Sequence, residues 1–194
     1  MADLIELTDL PSAYQSRADI ARIITAVSAL AEGYCRRPLS IQAGRVEYHD
    51  GGSWCELFLQ ATPIISIDSI YVDGLAITDY VVDNETGRVR RGTGHGSPNF
   101  APWFPSGANN IVVTYTGGYL TIPEDIKQSV VMGVVNTCRD ADRDPFLQSE
   151  SFAGQYSWTR GDANVVPGGR YACFGRTGLA LLAPYRRSGK HVVG

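Results

Sequence analysis

The sequence predicts an α+β fold, in which a small helical frame holds an inserted β-rich domain. Two stretches, near residues 16–36 and 122–140, repeat apolar residues at offsets of three and four, as one face of an α-helix does. Residues 40–118 change to short β-branched runs separated by turn signals, a pattern typical of a small sandwich or barrel. A chain of 194 residues can bury a sizeable core without a metal ion or a disulfide.

These changes of pattern divide the chain into four segments. Residues 1–39 are the N-terminal part of the frame, and residues 40–120 are the inserted domain. Residues 121–145 are the second frame helix, and residues 146–194 are an extended arm, a short helix and a basic tail.

The first 40 residues predict one short turn and one long helix. Leu4, Ile5, Leu7 and Leu10 form an apolar run that stops at Pro11, which indicates a short helical turn. Ser16 is expected to cap the long helix, and Pro38 to end it. The apolar stripe of this helix consists of Ile20, Ile23, Ile24, Val27, Leu30, Ala31 and Tyr34.

The inserted domain contains three predicted hairpins and one long final strand. Val46 and Tyr48 alternate with polar residues, and the Asp50-Gly51-Gly52 turn predicts pairing with the 54–59 run. The 64–72 run changes its apolar parity between Ile67 and Ile70, which indicates a bulge. Asp73-Gly74 predicts a second tight turn, the 80–82 and 88–90 runs a third hairpin, and the 110–115 run the last strand.

The C-terminal third begins with the second frame helix. Thr121 and Glu124 have the spacing of a capping box, and Pro123 suits a first helical turn. Ile126, Val130, Val131, Val134, Val135 and Cys138 form the apolar stripe. Aromatic residues alternate with polar ones over 149–160, which suits either a hairpin or an extended arm. The apolar residues near 179–185 predict a short helix that ends at Pro184.

Charge is distributed unevenly along the chain. The net charge is −3, yet residues 163–194 contain no acid and five basic residues, so the first 162 residues carry −8. A basic tail on an acidic body is expected to meet an acidic partner, a nucleic acid or a neighbouring copy of the body, unless it is merely solvated. The acidic total argues against a protein that binds nucleic acid over its whole surface.

The motifs that carry chemistry are absent or incomplete. Four cysteines lack any CxxC pair, which disfavours a zinc site, and Gly92–Gly96 lacks the Lys-Ser/Thr of a phosphate loop. The Asp140, Asp142, Asp144 series has proline where a calcium loop requires glycine. Cys55 and His49 across the first predicted hairpin leave a hydrolase as a weak rival. We therefore expect no enzyme, no catalytic residues, no cofactor, no metal site and no membrane span.

Residues 92–109 form an unusually long predicted loop. They contain seven Gly or Pro together with Phe100, Trp103 and Phe104. A loop of this length inside a compact domain is usually functional or disordered, and three large aromatic residues argue against simple disorder. These aromatic residues either pack back on the β-domain or contact a partner.

The order of these elements resembles a known family. The helix ends in Tyr34-Cys-Arg-Arg37, and Pro63-Ile-Ile-Ser-Ile-Asp-Ser-Ile-Tyr-Val-Asp-Gly74 and Asp79-Tyr-Val-Val-Asp-Asn-Glu-Thr-Gly-Arg88 follow. Ile111-Val-Val-Thr-Tyr-Thr-Gly-Gly-Tyr119 then leads into Ile122-Pro-Glu-Asp-Ile-Lys127 and a helix. Over about residues 15–145 this is similar to the head–tail connector (adaptor) proteins of tailed bacteriophages.

The resemblance implies a structural role in the neck of the virion after assembly in the host cytoplasm. Such proteins form a ring, usually of twelve copies, that joins the portal protein to a stopper or tail-terminator protein. DNA passes through the ring during ejection without sequence-specific binding. Twelve copies would carry about −36, and acids facing the channel would keep DNA from adhering.

The resemblance also suggests where partners bind. In relatives the C-terminal segment reaches towards the portal, which here implies a portal-binding set of Leu179, Leu181, Leu182, Tyr185, Arg186 and Arg187. Phe100, Trp103 and Phe104 are the hypothetical partner-contact loop. The alternatives are another neck or tail-completion protein, or a β-rich carbohydrate- or protein-binding module that uses this loop as its binding face.

Overall fold

The structure is a computed structural model that describes residues 3–52, 54–92, 103–142, 149–152, 156–159 and 169–187. Helices and antiparallel sheets are both present, which confirms the α+β class. The chain divides into two compact units. Met1–Arg36 and Ile122–Arg186 form the helical unit, and Arg37–Thr121 and Arg187–Gly194 form the β-rich unit.

The helical unit contains four α-helices in its described part. They are α1 (Ser12–Gln15), α2 (Ile20–Cys35), α3 (Glu124–Ala141) and α4 (Gly175–Leu182), with 3-10 turns at Leu7–Asp9, Ala172–Phe174 and Ala183–Tyr185. The predicted stripes of α2 and α3 supply the core, because Ile20, Ile23, Ile24, Val27, Ala31, Ile126, Val130, Val134 and Cys138 are buried. The short turn near Leu7 and the C-terminal helix are confirmed as well.

The starts of the two long helices differ from the prediction. Ser16 does not cap α2, which begins four residues later after Asp19. The guanidinium of Arg17 instead binds Asp19 at 3.0 Å and Asp142 at 2.6 Å, and so ties the start of α2 to the end of α3. The capping box at Thr121 is also wrong, because α3 begins directly after an extended Pro123. Two acids in its first turn complement the helix dipole instead.

The described residues of the β-rich unit form seven strands. They are β1 (Gln42–Gly51), β2 (Glu56–Phe58), β3 (Ile64–Val72), β4 (Leu75–Ala76), β5 (Tyr80–Asp83), β6 (Arg88–Arg91) and β7 (Gly107–Gly117). One sheet has the order β1-β7-β3-β4 and the other β2-β6-β5. In the helical unit, β8 (Ser149–Phe152) and β9 (Tyr156–Thr159) form a separate two-stranded hairpin, which decides between the hairpin and the extended arm.

Two of the three hairpins predicted in this unit are confirmed. Strands β3 and β4 meet at Asp73-Gly74, β5 pairs with β6, and β3 has the expected register shift between Ile67 and Ser69. The first hairpin is wrong, because β1 pairs with β7 and β2 pairs with β6. The physical reason is length: β7 offers eleven residues with alternate side chains buried, whereas β2 offers three.

Both sheets contribute to one apolar core. Tyr115, Ile70 and Val113 come from the four-stranded sheet, and Leu57 and Val89 come from the three-stranded sheet. All five are 7% exposed or less, so the sheets bury their inner faces in a common cluster. This burial supplies the main hydrophobic stabilisation of the unit.

Strand β1 turns its apolar side chains outward. Val46 is 47% exposed and Tyr48 is 63% exposed, whereas Glu47 between them is only 6% exposed. An alternating strand usually buries its apolar residues and exposes its charged ones. That rule would bury Val46 and Tyr48 and place Glu47 in solvent. The inward position of a carboxylate requires partners, because an unpaired buried charge is strongly destabilising.

Glu47 has those partners. Its Oε1 accepts hydrogen bonds from the Tyr115 hydroxyl at 2.6 Å and from Arg45 Nε at 2.7 Å. Its Oε2 accepts one from the Gln60 amide at 3.1 Å and lies 3.4 Å from His49 Nε2. Burial alone would raise the pKa of Glu47, but these partners outweigh it and lower the pKa from 4.5 to about 2. Burial and the neighbouring carboxylate raise the pKa of Tyr115, which therefore stays a donor.

Replacement of Glu47 by Gln should lower stability and flatten its acid dependence. Because the folded pKa is depressed, the ionised group contributes fully above pH 4.5, and this contribution is lost as the pH falls towards 2. A shift of this size corresponds to about 3 kcal/mol at pH 7. Urea unfolding at several values from pH 7 to pH 2.5 measures both effects.

The control is Glu56→Gln, on a strand of the other sheet, where the carboxylate is 32% exposed and lies 3.5 Å from Arg88. This variant should stay within about 0.5 kcal/mol of the parent at pH 7. Equal stability of the Glu47 and Glu56 variants across the range would contradict the structural role of Glu47.

Candidate functional site

The C-terminal segment comprises Ala172–Phe174, α4, Ala183–Tyr185 and the two arginines that follow. Its helices pack on α3 within the helical unit. The Ser129 hydroxyl donates a buried hydrogen bond to the Gly178 carbonyl at 2.9 Å, and Asn136 Nδ2 donates to the Cys173 carbonyl at 2.9 Å. Phe174 is fully buried next to Gly133, where a methyl group would lie 2.7 Å from Val27 Cγ1. The small residue thus allows a close approach of three elements, which fixes the start of α4.

The six residues of the predicted portal-binding set occupy different environments. Leu182 is fully buried, and its carbonyl lies 3.9 Å from the Cys35 thiol. Leu179, Leu181, Tyr185 and Arg187 are half-buried, and Arg186 is exposed. The six-residue set therefore presents one exposed cation, Arg186, and a partly apolar surface, while Leu182 anchors it to the helical unit.

Aromatic residues that the sequence analysis did not single out surround the end of this segment. Tyr34 and Tyr171 meet edge to face with ring centroids 5.3 Å apart. The Arg186 guanidinium lies over the Tyr34 ring at 5.4 Å, and the Tyr185 hydroxyl donates to Asp125 Oδ2 at 3.4 Å. These contacts hold Arg186 at the surface in a defined position. Tyr34 appeared in the sequence only as part of a helical stripe, so no local signal marked this contact.

The predicted partner-contact loop, here called the aromatic loop (Phe100, Trp103 and Phe104), contains one buried and one exposed aromatic residue in its described part. Phe104 is fully buried in the β core, and its amide donates to the Trp54 carbonyl at 2.7 Å. Trp103 is 57% exposed, although its carbonyl accepts a hydrogen bond from Arg91 at 3.0 Å. Phe100 lies outside the described residues. Phe104 thus packs back on the β-domain, whereas Trp103 is exposed, and its contact with a partner stays a prediction.

The described part of the chain offers little for catalysis. No hydrogen bond joins His49 to Cys55 there. His49 lies in β1, and Cys55 lies just before β2 of the other sheet, so the proposed nucleophile pair does not form across a hairpin. Among the described residues no group of three His, Cys, Asp or Glu side chains is placed to hold a metal ion. Asp144 of the incomplete calcium motif lies outside them.

A family model of head completion proteins matches residues 3–168 of the chain. The chain belongs to the head completion protein family. This confirms the predicted relationship to phage connector proteins and a structural role in completing the phage head. The family is structural, so the expectation that the chain is not an enzyme is also confirmed.

Solved structures of gene transfer agent (GTA) particles share this fold. A chain in the neck of a native GTA particle, computed with C12 symmetry, is 16% identical, with a TM-score of 0.53 over 96% of this chain and 94% of that chain. A chain in the neck of an empty GTA particle, computed with C6 symmetry, is 15% identical with the same TM-score over 96% and 95%. A chain in the virion of the native particle matches equally well, at 16% identity over 96% and 95%.

No curated protein matches the chain. Among the helices of the described residues, none combines the length and the apolar character that crossing a membrane requires.

Phe174→Ala should loosen the C-terminal segment and lower the free energy of unfolding by about 3–5 kcal/mol, because a buried aromatic ring would leave a cavity. Urea unfolding at pH 7 measures this change. Leu120→Ala is the control, since that side chain is 80% exposed, and it should change stability by less than about 0.5 kcal/mol. A loss below about 1 kcal/mol for Phe174→Ala would show that this ring does not hold the segment.

Proposed function

We propose that the chain is a ring-forming adaptor that joins the portal protein to the next neck protein and encloses the DNA channel. The observation that carries the proposal is the head completion match over residues 3–168, together with a shared fold in a neck of twelvefold symmetry. In this proposal the helical unit is the frame, and the β-rich unit, whose two sheets share a core, is a small sandwich inserted in it. The ring contains twelve copies in the neck of the virion.

Heterologous contacts between neighbours suit such a ring, since rotation by a fixed angle closes the assembly. The net charge of −3 on each copy supports a channel lined by acids, along which DNA slides without specific binding. The partner beyond the ring is a stopper or tail-terminator protein. Assembly takes place in the host cytoplasm before the particle is complete.

Electron microscopy of the chain alone and mixed with the portal protein of the same phage tests this function. The expected result is a ring of twelve copies seated on the portal in the mixture. A chain that remains monomeric in both samples would contradict the adaptor function and favour another neck or tail-completion protein.

The portal contact in this proposal centres on the exposed part of the C-terminal segment. Leu179, Leu181, Tyr185, Arg186 and Arg187 contribute the contact surface, and buried Leu182 keeps α4 in place. Leucine, tyrosine and arginine side chains of this kind can supply both burial and charge-assisted hydrogen bonds. The absence of acids from residues 163–194 favours an acidic surface on the portal.

Arg186→Glu should weaken binding to the portal by about tenfold or more, because it places an acid against an acidic partner. The matched control is Arg176→Glu, which reverses the charge of an exposed arginine earlier in α4. Surface plasmon resonance against immobilised portal measures both variants at two salt concentrations. Equal losses for the two variants would show that only the total charge matters and would contradict a local contact at Arg186.

The aromatic loop is the proposed contact to the next neck protein, with Trp103 as its exposed anchor. Trp103→Ala should abolish binding of that protein to the ring while the unfolding free energy changes by less than about 0.5 kcal/mol. Phe104→Ala is the structural counterpart and should lower the unfolding free energy by about 3–5 kcal/mol. Pull-down on assembled rings and urea unfolding provide the two measurements, and unchanged binding by Trp103→Ala would exclude this loop as the contact.

A further inference from the structure

Part of the outer face of the four-stranded sheet exposes apolar side chains. The strand registers place Tyr48 opposite Val112 and Val112 opposite Tyr71, which forms one row across β1, β7 and β3. Val46 lies opposite Thr114 in the neighbouring row. Val46, Tyr48 and Tyr71 are 47%, 63% and 42% exposed. A surface patch of aromatic and β-branched side chains on a soluble chain is typical of an interface.

Strand β1 forms one edge of the same sheet, where it pairs with β7 and with no second strand among the described residues. Its register shifts at both ends leave Arg45–His49 as a regular segment. Every second residue of such a segment directs its amide and carbonyl away from the sheet, where they can bind another strand. Neither Pro nor Lys lies within this segment.

The charges on this face disfavour nucleic acid as its partner. The outward register positions of β1, β7 and β3 contain no Lys or Arg, so the face offers nothing to the phosphates of DNA. The nearest acids are Asp68 in the β3 bulge and Asp50 and Asp73 at one end of the face. The last two already accept hydrogen bonds from Asn109 and Asn110. A neutral, strand-forming partner therefore fits best.

The chain itself contains a strand-forming segment that is nearly neutral. Strands β8 and β9 pair only with each other among the described strands, and a lone two-stranded hairpin is marginally stable without a surface to join. Each has four residues, close to the length of Arg45–His49. Glu150 is the one charged residue in the two strands.

We propose that the β8–β9 hairpin of one copy adds to the free edge of β1 in a neighbouring copy and covers part of its outer sheet face. The inference rests on the proposed ring and names the contact between its copies. Because the hairpin and β1 are different surfaces, each copy uses both, one towards each neighbour, which is the heterologous contact that closes a ring. Strand addition supplies main-chain hydrogen bonds, and the apolar face supplies burial.

A single charge on the face tests the proposal. Val46→Lys should reduce the occupancy of full rings on the portal by about tenfold or more, measured by mass photometry and electron microscopy, because lysine would be buried at the contact. The matched control is Val81→Lys, on edge strand β5 of the other sheet, where valine is 43% exposed. It should assemble like the parent. Both valines are surface residues, so both variants should remain folded by circular dichroism.

Hydrogen exchange gives a second, independent measurement on the parent chain. In rings, the outward-directed amides of Arg45–His49 and of the hairpin strand that joins them should exchange about tenfold more slowly than in the free chain, since strand addition protects both partners. Normal rings from Val46→Lys, equal losses from the two lysine variants, or unchanged exchange of β1 in rings would each overturn the proposal and leave the adaptor function standing. Failure of the parent to form rings would overturn both.

Discussion

The buried carboxylate of Glu47 determines which side chains of β1 face outward from the β-rich unit. A strand has a side-chain period of two, so the inward position of Glu47 forces Val46 and Tyr48 to face outward. Hydrogen bonds from Tyr115, Arg45 and the Gln60 amide make this register favourable, and a one-residue slip would leave the carboxylate without them. A buried ion pair can contribute little net stability compared with apolar packing. We interpret its role here as fixing the register of an edge strand.

In the helical unit the constraint is steric. Gly133 permits Val27 and Phe174 to meet across α3, and this contact positions α4. The C-terminal segment consequently reaches the surface from a fixed base, with Arg186 over the Tyr34 ring. A rigid base lowers the entropy lost when such a segment binds a partner. Both units thus use buried residues to set the position of exposed ones.

Local pattern predicted the elements well, and non-local contacts account for the failures. The α2 stripe and the β5–β6 hairpin depend on residues a few positions apart, and both followed from the sequence. The parity of β1 depends on Tyr115, 68 residues away, which no local alternation reveals. The same limit applies to the candidate site. Leu182 and Leu181 belong to one apolar run, and Trp103 and Phe104 are adjacent, yet only packing distinguishes the buried member of each pair.

The distribution of charge connects these surfaces to one assembly. Copies that each carry −3 repel one another, so a contact between copies is favoured where the surface is neutral, as on the outer face of the four-stranded sheet. The basic residues are concentrated instead in the C-terminal segment, where attraction to an acidic partner would orient the copy before contact. An apolar contact that was strong by itself would also make free copies associate with one another. In the proposed assembly, binding to the portal first brings neighbouring copies together. The effective concentration of the hairpin and the β1 edge then rises, and a weak individual contact suffices to complete a ring.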